Sequence, residues 1–591
     1  MSDRAVFALA VAVCAAAWSS APVPLLLAVT VTAAALISRR PVLLVAGAAL
    51  LASSLGARSD AGLTPPAGSE AVTGEAVLSS DPVNVDGATK VDVGLGVRRV
   101  EAWARGQPAA VLAPLLAGER VKIEGRLRPP PPEARPWLAR RHVSARLSVD
   151  QAGPSRPGSL ASRAANGLRR TLVNGARPLA TEERALLTGF VFGDDRDQSV
   201  AVADDFKAAG LTHLLAVSGQ NVAFVLVLAG PVLRRLGLRG RWAASLAVIG
   251  FFGLVTRWEP SVLRASAMAA LACTATGLGR PTSCRRLLAL AVAGVVLIDP
   301  LVVRSVGFQL SVGACVGILL LAAPLSRHLP GPRWLAEVLA VTLAAQVGVA
   351  PVLVPVFGGL PVASLPANLL AVPAAGPLMV WGLTAGLAAG VLGPPADALL
   401  HQPTSWLVRW VAAVARWAAA LPLGRIEIPH LVALVVIGAV TAMAWRRSRR
   451  LALRLGSICT ALVLVAPSLA LALPRSSHMA LTPAPGAELW ADRGVVLVID
   501  DAGGASLLEG LRAEGVSHID VVICQRGGSP AAATVLLLRS RLSVGVVLAP
   551  EDHRIRGAKV PLEDGVVQVG GIAVKVVRTS PNLEVEVGQH E

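Results

Sequence analysis

The sequence is short of charge: only 16% of its 591 residues are Asp, Glu, Lys or Arg, against 54% hydrophobic, and its mean hydropathy is +0.61. Ordinary soluble domains carry about a quarter charged residues, so this shortage excludes that class and leaves a polytopic membrane protein. Acidic residues are scarcer than basic ones, 38 against 55, for a formal net charge of +17. The excess is almost all arginine, in a chain rich in Ala, Gly and Val, so biased nucleotide composition explains part of it. Basicity alone therefore does not establish a nucleic-acid partner. Cysteines are few and scattered: Cys14, Cys273, Cys284, Cys315, Cys459 and Cys524 have no C-x-x-C spacing. This excludes a zinc site or a disulfide framework built on cysteine. No G-x-x-x-x-G-K-[ST] loop occurs either, so the chain carries no Walker-type site for ATP.

What is present is a series of apolar runs. Those at 5–20, 22–37 and 41–57 approach the length of a spanning helix, with Pro22 and Pro24 at the first reversal. One early arginine followed by two apolar runs reads as a retained hairpin rather than a cleaved signal peptide. Arg4, Arg39 and Arg40 place their loops in the cytoplasm by the positive-inside rule, which puts 58 to about 160 outside. Further spans are expected at 211–233, 242–256, 262–279, 287–298, 306–324, 335–357, 362–392, 406–420, 431–445 and 451–473. The turns "RRLGLRGR", "RPTSCRR", "SRHLPGPR" and "RRSRRLALR" fall between alternate spans, as cytoplasmic loops do, and leave 474–591 outside.

Between the early and later spans the character changes. "AVTGEAVL", "TKVDVGLGV", "RRVEAWARG", "ERVKIEGRLR" and "HVSARLSV" alternate apolar and polar residues with turn punctuation, which is strand periodicity. Five or six short strands suit a small barrel, and "GERVKIEGRLRPP" resembles the strand closing many oligonucleotide-binding (OB) folds. An Ig-like sandwich or an irregular β cap is the alternative. Trp103 and Trp137 are nearly the only aromatics here, which does not support base stacking. Residues 160–178 have helical spacing and four arginines, Arg163, Arg169, Arg170 and Arg177, as in a helix lying at the membrane surface. After Pro474, four short apolar strands and the helical "GASLLEGLRAEG" predict an α/β domain.

"GLTHLLAVSGQNVAFV" at 210–225 closely resembles the signature of the ComEC-type competence proteins, bacterial inner-membrane proteins proposed to pass single-stranded DNA into the cytoplasm. "LTGFVFGD" ahead of it, "VLRASAMA" at 262–269, "DPLVVRSVGFQLSVGA" at 299–314 and "AAQVGVAPVLVPVFGGLPVASLPANLLAVP" at 344–373 agree in order. The resemblance implies a channel for single-stranded DNA in the plasma membrane, in contact with membrane lipid. It also implies an energy source outside the chain, a DNA-receptor protein and a cytoplasmic ATPase or helicase as partners, and it is compatible with a homo-oligomer.

A loop at Ser218 and Gly219 would turn His213, Ser218, Gln220 and Asn221 toward a watery path, the setting in which irregular backbone is tolerated at membrane depth. The competing reading is hydrogen bonding between helices. The family usually has a second histidine near Asn221; its absence here removes a proton-handling role from that position. Arg264, Gln309, Ser311, Gln346 and Asn368 are costly in hydrocarbon and mark a pathway or a partner. Arg264 stands out, because its guanidinium either holds a phosphate or pairs with a carboxylate such as Glu259 or Asp299. The prolines and glycines of 351–377 suggest either broken helices or packing kinks.

In many members of the family the tail resembles a metallo-β-lactamase domain. Here "ELWADRGVVLVIDDAGG" and "GVSHIDVVIC" resemble its frame, but "CQRGGSPAA" stands where the H-x-H-x-D-H metal cluster belongs. His518 and Asp520 alternate on one strand, and His553 and His590 are isolated, so no binuclear metal, cofactor or hydrolytic activity is expected.

The expected fold class is a polytopic α-helical membrane protein with an extracytoplasmic N-terminal OB-like β domain and an extracytoplasmic C-terminal α/β domain of metallo-β-lactamase type. The expected boundaries are 1–57 for N-terminal helices, 58–158 for the β domain, 159–180 for the interfacial helix, 181–473 for the channel and 474–591 for the tail. Other functional readings are a transporter of another solute or a lipid-linked cargo, a membrane-bound nuclease, disfavoured by the missing ligands, and a relic.

Overall fold

Among the described residues, six helices are long and apolar enough to cross a membrane: Pro41–Ala61, Thr212–Leu233, Leu238–Val255, Val306–His328, Arg333–Phe357 and Ser364–Leu392. They make this a multi-pass membrane protein, as the hydropathy of the sequence requires and as a plasma-membrane location needs. The computed structural model describes residues 2–445 except 39, 86 and 281, then 448, 456, 458–459, 462–463 and 465–467, and finally 477–589 except 552–553, 562–564 and 580–581. Arg39 and most of the expected span 451–473 lie outside the described residues. Asp3–Ser19, Leu25–Ser38, Pro260–Gly277, Cys284–Ile298, Gln402–Ala420 and Ile428–Trp445 are also helical, matching the other expected runs.

The expected interruption within 351–377 is corrected in part. Arg333–Phe357 runs on through Pro351 and Pro355, and Ser364–Leu392 through Pro373 and Pro377, so the chain breaks only at the glycine turn between them. Gly358 and Gly359 supply that turn at φ of +73° and +145°.

Two compact units divide the chain: Met1–Gln198, Thr212–Leu353 and Asn368–Val411 form the first, and Ser199–Leu211, Val354–Ala367 and Ala412–Glu591 the second. Within the first, small residues let helices touch backbone to backbone. A Cβ on Gly348 would lie 2.2 Å from the Gly313 carbonyl oxygen, and one on Gly317 2.1 Å from that of Ala344. This is how spanning helices associate where lipid removes the hydrophobic drive. Gly348→Val should therefore force the pair apart, costing about 1–3 kcal/mol. A lower apparent Tm of the purified protein in detergent, with Ala in place of Val giving a smaller drop, checks it.

The first unit also carries the N-terminal sheet: β1 (Glu70–Leu78), β2 (Val83–Val85), β3 (Ala88–Leu95), β4 (Arg98–Ala104), β5 (Arg120–Arg128) and β6 (Val143–Arg156). Alternation explains it. In β5, Val121, Ile123 and Leu127 point into the core while Arg120, Lys122, Arg126 and Arg128 face out. Five of the six strands fall on the five runs that alternate in the sequence, and the three-residue β2 lies outside them.

The OB-like barrel is corrected. The strands form one six-stranded sheet ordered β1-β5-β6-β4-β3-β2, whose end strands β1 and β2 do not pair with each other, so the sheet is not closed end to end. The added β1–β3 contact covers only the register Ala76↔Leu95 to Leu78↔Val93, and β2 takes the opposite end of β3, from Lys90 to Ala88. Dividing one side of β3 between β1 and β2, with β4 on the other side, leaves β2 as an edge.

The helix expected at the membrane surface is Leu160–Gly175, but one face is packed away: Ala165, Asn166, Arg169, Leu172 and Gly175 are buried. A Cβ on Gly175 would stand 2.3 Å from the Gly386 carbonyl oxygen, so this helix packs directly against Ser364–Leu392.

In the second unit, β7 (Leu360–Pro361) pairs with β8 (Arg425–Ile426). The tail is α/β, as its periodicity predicts. Its sheet contains β9 (Ser477–Ala484), β10 (Ala487–Ala491), β11 (Val495–Ile499), β12 (His518–Cys524) and β13 (Ser543–Leu548), in the order β13-β12-β11-β10-β9. β11, β12 and β13 are parallel, joined through helices Gly504–Ala513 and Ser529–Arg541. Leu497, Ile499 and Val522 pack with Leu507, Leu511 and Leu538 of those helices. Val496, Val498, Val521 and Ile523 point the other way, against Val574 and Val576 of an antiparallel sheet of β14 (Gly565–Val569), β15 (Ile572–Thr579) and β16 (Asn582–Gln589). A strand buried on both faces reads as a continuous apolar run, which is why "HIDVVIC" lacks alternation.

Candidate functional site: a break in a membrane helix

Within the first unit the segment after Thr212 makes one helical turn, Thr212–Leu215, opens at 216–218, and resumes as helix Gly219–Leu233. Ser218 is the N-cap of the resumed helix, in extended conformation. Its hydroxyl donates to Asn221 Oδ1 at 3.1 Å, and Asn221 Nδ2 donates to the Phe190 carbonyl at 3.3 Å. The opened backbone is held from the next helix, Pro260–Gly277. The Ser261 hydroxyl donates to the Val217 carbonyl, and the Glu259 carboxyl hydrogen-bonds the backbone of the same residue. Pro260 at the first helical position suits this start, since its missing N–H would go unused there.

Gly219 permits the close approach: a Cβ on it would lie 3.0 Å from Ala265 Cβ and 3.3 Å from Arg264 Nη2. Arg264 is buried, with Nη1 against Cys315 Sγ and 3.7 Å from Met268 Sδ, and its Nε has no hydrogen-bond partner. Among the described residues no carboxylate pairs with it. Both partners considered from the sequence are engaged elsewhere: Asp299 with His142 Nε2 at 3.0 Å, and Glu259 at the break. A buried cation facing soft sulfur atoms is poorly compensated.

The structure thus brings Ser218, Gly219, Asn221 and Arg264 together. Gln220 is exposed, and its Nε2 would lie 3.8 Å from a Cβ on Gly376. His213 is exposed, Ser311 and Gln346 are half-buried, and Asn368 is buried near the start of Ser364–Leu392. Gln309 Nε2 donates locally to the Val303 carbonyl at 2.9 Å.

A second cluster escaped sequence reasoning. Arg169, with a side chain only 3% exposed, donates to Asp194 at 2.6 Å, to Asp81 at 2.9 Å and to the Val255 carbonyl at 2.9 Å. Arg257 adds 2.9 Å bonds to Asp81 and to Asn166, and Arg196 meets Asp194 at 2.6 Å. Burial raises the pKa of Asp81, but Arg169 and Arg257 outweigh it and hold the carboxyl below its usual range. The balance at Asp194 is the same, with Arg196 the chief partner. Asp195 lacks such compensation, and burial pushes it up. Burial, and then the charge of Asp195, push Glu259 up to about 8. The one signal in the sequence was Asp194 closing "LTGFVFGD"; nothing distinguished Arg169 from its three neighbours.

On the N-terminal sheet, Trp103, Arg105, Arg128 and Arg146 line an open cavity of about 560 Å³. The tryptophan faces are taken by the protein's own cations: Lys90 lies 5.8 Å from Trp103 and 5.4 Å from Trp137, Arg146 5.7 Å from Trp103, and Arg141 4.3 Å from Trp137. These cation–π contacts occupy the surfaces on which a base would stack.

In the tail, His518 Nε2 lies 3.1 Å from Asp520 Oδ1, while Asp520 Oδ2 accepts from the Val495 amide at 2.8 Å. Asp500 pairs with Arg526 at 2.8 Å. Burial pushes the Cys524 thiol up to about 12. Among the described residues no three His, Cys, Asp or Glu side chains gather where a metal ion could be held, which argues against the nuclease reading. His553 and His590 lie outside the described residues.

With this geometry in view, a family model described as Competence protein matches residues 190–450. The chain is 26% identical over 262 residues to the uncharacterized protein YcaI of Escherichia coli (strain K12), a match covering 41% of this chain and 34% of that protein. It is 24% identical over 297 residues to ComE operon protein 3 of Bacillus subtilis (strain 168), covering 49% of this chain and 38% of that protein. The chain therefore spans little more than a third of the length of these relatives. No solved structure matches. These findings link the chain at family level to bacterial competence proteins, and the helix break and Arg264 both lie inside the matched segment.

Proposed function

We propose that the chain is a plasma-membrane channel that passes single-stranded DNA into the cytoplasm. The family-level link is consistent with a role in DNA uptake. The observation that carries the finer reading is Arg264, a buried cation beside a helix break, with no carboxylate paired to it among the described residues. A polyanion supplies the missing charge. The guanidinium fork matches phosphate oxygens, and backbone-led binding of this kind is independent of sequence and sensitive to salt.

In this reading Ser218, Gln220, Asn221 and His213 offer hydrogen bonds to the passing strand, Gly219 gives it close access, and Ser311, Gln346, Asn368 and Gln309 are further candidates for the path. Energy comes from a partner ATPase or helicase, and a DNA-receptor protein delivers the strand. A transporter of another solute is the second reading. It is favoured by Glu259, a buried carboxyl at the break that keeps its proton near neutral pH.

Uptake of labelled DNA by the native bacterium tests the proposal, comparing wild type, a deletion, and the deletion complemented with Arg264→Ala or Arg264→Lys. The deletion should abolish import while surface binding persists. Arg264→Ala should lower import about tenfold or more, the loss of one charged phosphate contact, at equal membrane abundance. Arg264→Lys should recover part of it. Import unchanged in the deletion strain sinks the DNA reading.

A further inference from the structure

Within the second unit the tail domain holds more than its own core. Its helix Gly504–Ala513 presents Glu509 and Arg512 on one face, three residues apart. Arg512 grips Asp204 with two bonds of 2.9 and 2.6 Å, and Arg541, at the end of helix Ser529–Arg541, bonds Asp205 at 2.8 Å and the Ala201 carbonyl at 2.7 Å. Glu509 bonds Lys207 at 2.6 Å and Arg425 of β8 at 3.2 Å. The seam also takes in the chain around β7, because β7 pairs with β8 and the Val362 amide donates to the Gly424 carbonyl at 3.2 Å. Gly210, at φ +66°, turns the chain against Ser364, where a Cβ would come within 2.5 Å of the serine Cβ.

We infer that the tail is a charge-latched clamp on helix Val200–Ala208, and that its grip positions the chain running directly on into the broken segment 212–221. The inference stands whatever the cargo is. Three features carry it. The held helix has only nine residues, too few to be stable in water alone, so its helicity depends on what grips it. Its contacts with the tail are ionic and patterned, Asp204, Asp205 and Lys207 against Arg512, Arg541 and Glu509, so they set one register and reject others. The Asp204 and Asp205 side chains are only 5% and 4% exposed, so neither carboxylate can exchange its arginine for water without moving. Asp204, Asp205, Arg512 and Arg541 are positioning residues: they act through the chain they hold.

Hydrogen–deuterium exchange on the full chain in lipid nanodiscs tests the clamp, following peptides over 200–208 and 212–221. The comparison is wild type, Asp204→Arg, Arg512→Asp and the double exchange of both. Each single reversal should speed exchange over 200–208 about 100-fold, because it leaves buried like charges face to face, and over 212–221 about tenfold. The double exchange should return both to within about threefold of wild type. General destabilisation would not be reversed by restoring opposite charge, so failure of the double exchange overturns the inference. So does acceleration confined to 200–208 with 212–221 unmoved, which would make the seam a mere attachment. Should a reversal not accumulate, Asp205→Asn with Arg541→Gln removes one latch without stranding a charge; unchanged exchange over 200–221 in that variant also overturns it.

Discussion

Arg169→Met should destabilise the protein by roughly 3 kcal/mol, the low end of what breaking a buried ion pair costs. The low end applies because Asp81 keeps Arg257 and Asp194 keeps Arg196. What disappears is the one side chain that joins the two carboxylates to each other and to the Val255 carbonyl. Methionine fills much of the volume but satisfies none of the three acceptors, so desolvated oxygens are left behind. A fall in apparent Tm of several degrees, measured in detergent, is the expected reading, and an unchanged Tm refutes the assignment. Acid should show the same network. The Asp81 and Asp194 pKa values are depressed in the folded state, so they contribute stability that is present above the unfolded carboxyl pKa and lost as pH falls through their lowered folded values. In Arg169→Met the folded values rise toward the ordinary one, and this acid-side loss should begin at higher pH.

Glu259→Gln should act in the opposite direction and in another pH window. The folded protein keeps the Glu259 proton up to about 8, whereas the unfolded chain releases it near the ordinary carboxyl value of 4.5. A raised folded pKa means that stability is full below the unfolded value and declines as pH climbs toward 8. At about 1.4 kcal/mol per pKa unit, and with some relief from partial solvent contact, the decline is on the order of 3–4 kcal/mol. Asp195 and Asp194 face the group and steepen the decline, and Arg169 opposes them. Glutamine cannot ionise, so the variant should match wild type at pH 5, exceed it at pH 8.5, and lose the slope between. Equal slopes in the two proteins would exclude Glu259 as the titrating group. The Val217 backbone donates to this carboxyl in a bond that favours the ionised form, so ionisation keeps that tie to the break. A proton-dependent transport rate that flattens in Glu259→Gln would favour the transporter reading.

Much of this protein was legible without coordinates, and the legible part is local. The apolar runs became helices because a span needs only its own length and hydropathy. "ERVKIEGRLR" became β5 because alternation suffices to make one face of a strand apolar. The opening at Ser218 could be expected because polar side chains and a glycine interrupt an otherwise apolar run. What the sequence by itself determined was therefore the class of the protein, most element positions, the α/β character of the tail and the absence of a histidine-rich metal motif at 524–532. The tertiary structure alone decided the rest. It left β1 and β2, the end strands of the N-terminal sheet, without a pairing to each other, buried one of four similar arginines in a carboxylate cluster, and sent Asp299 to His142 rather than to Arg264. It also joined Asp204 to an arginine 308 positions away. Hydrophobic periodicity acts over neighbouring turns, whereas the partner of a charge depends on which surfaces meet once the helices have packed, and local sequence contains no measure of that.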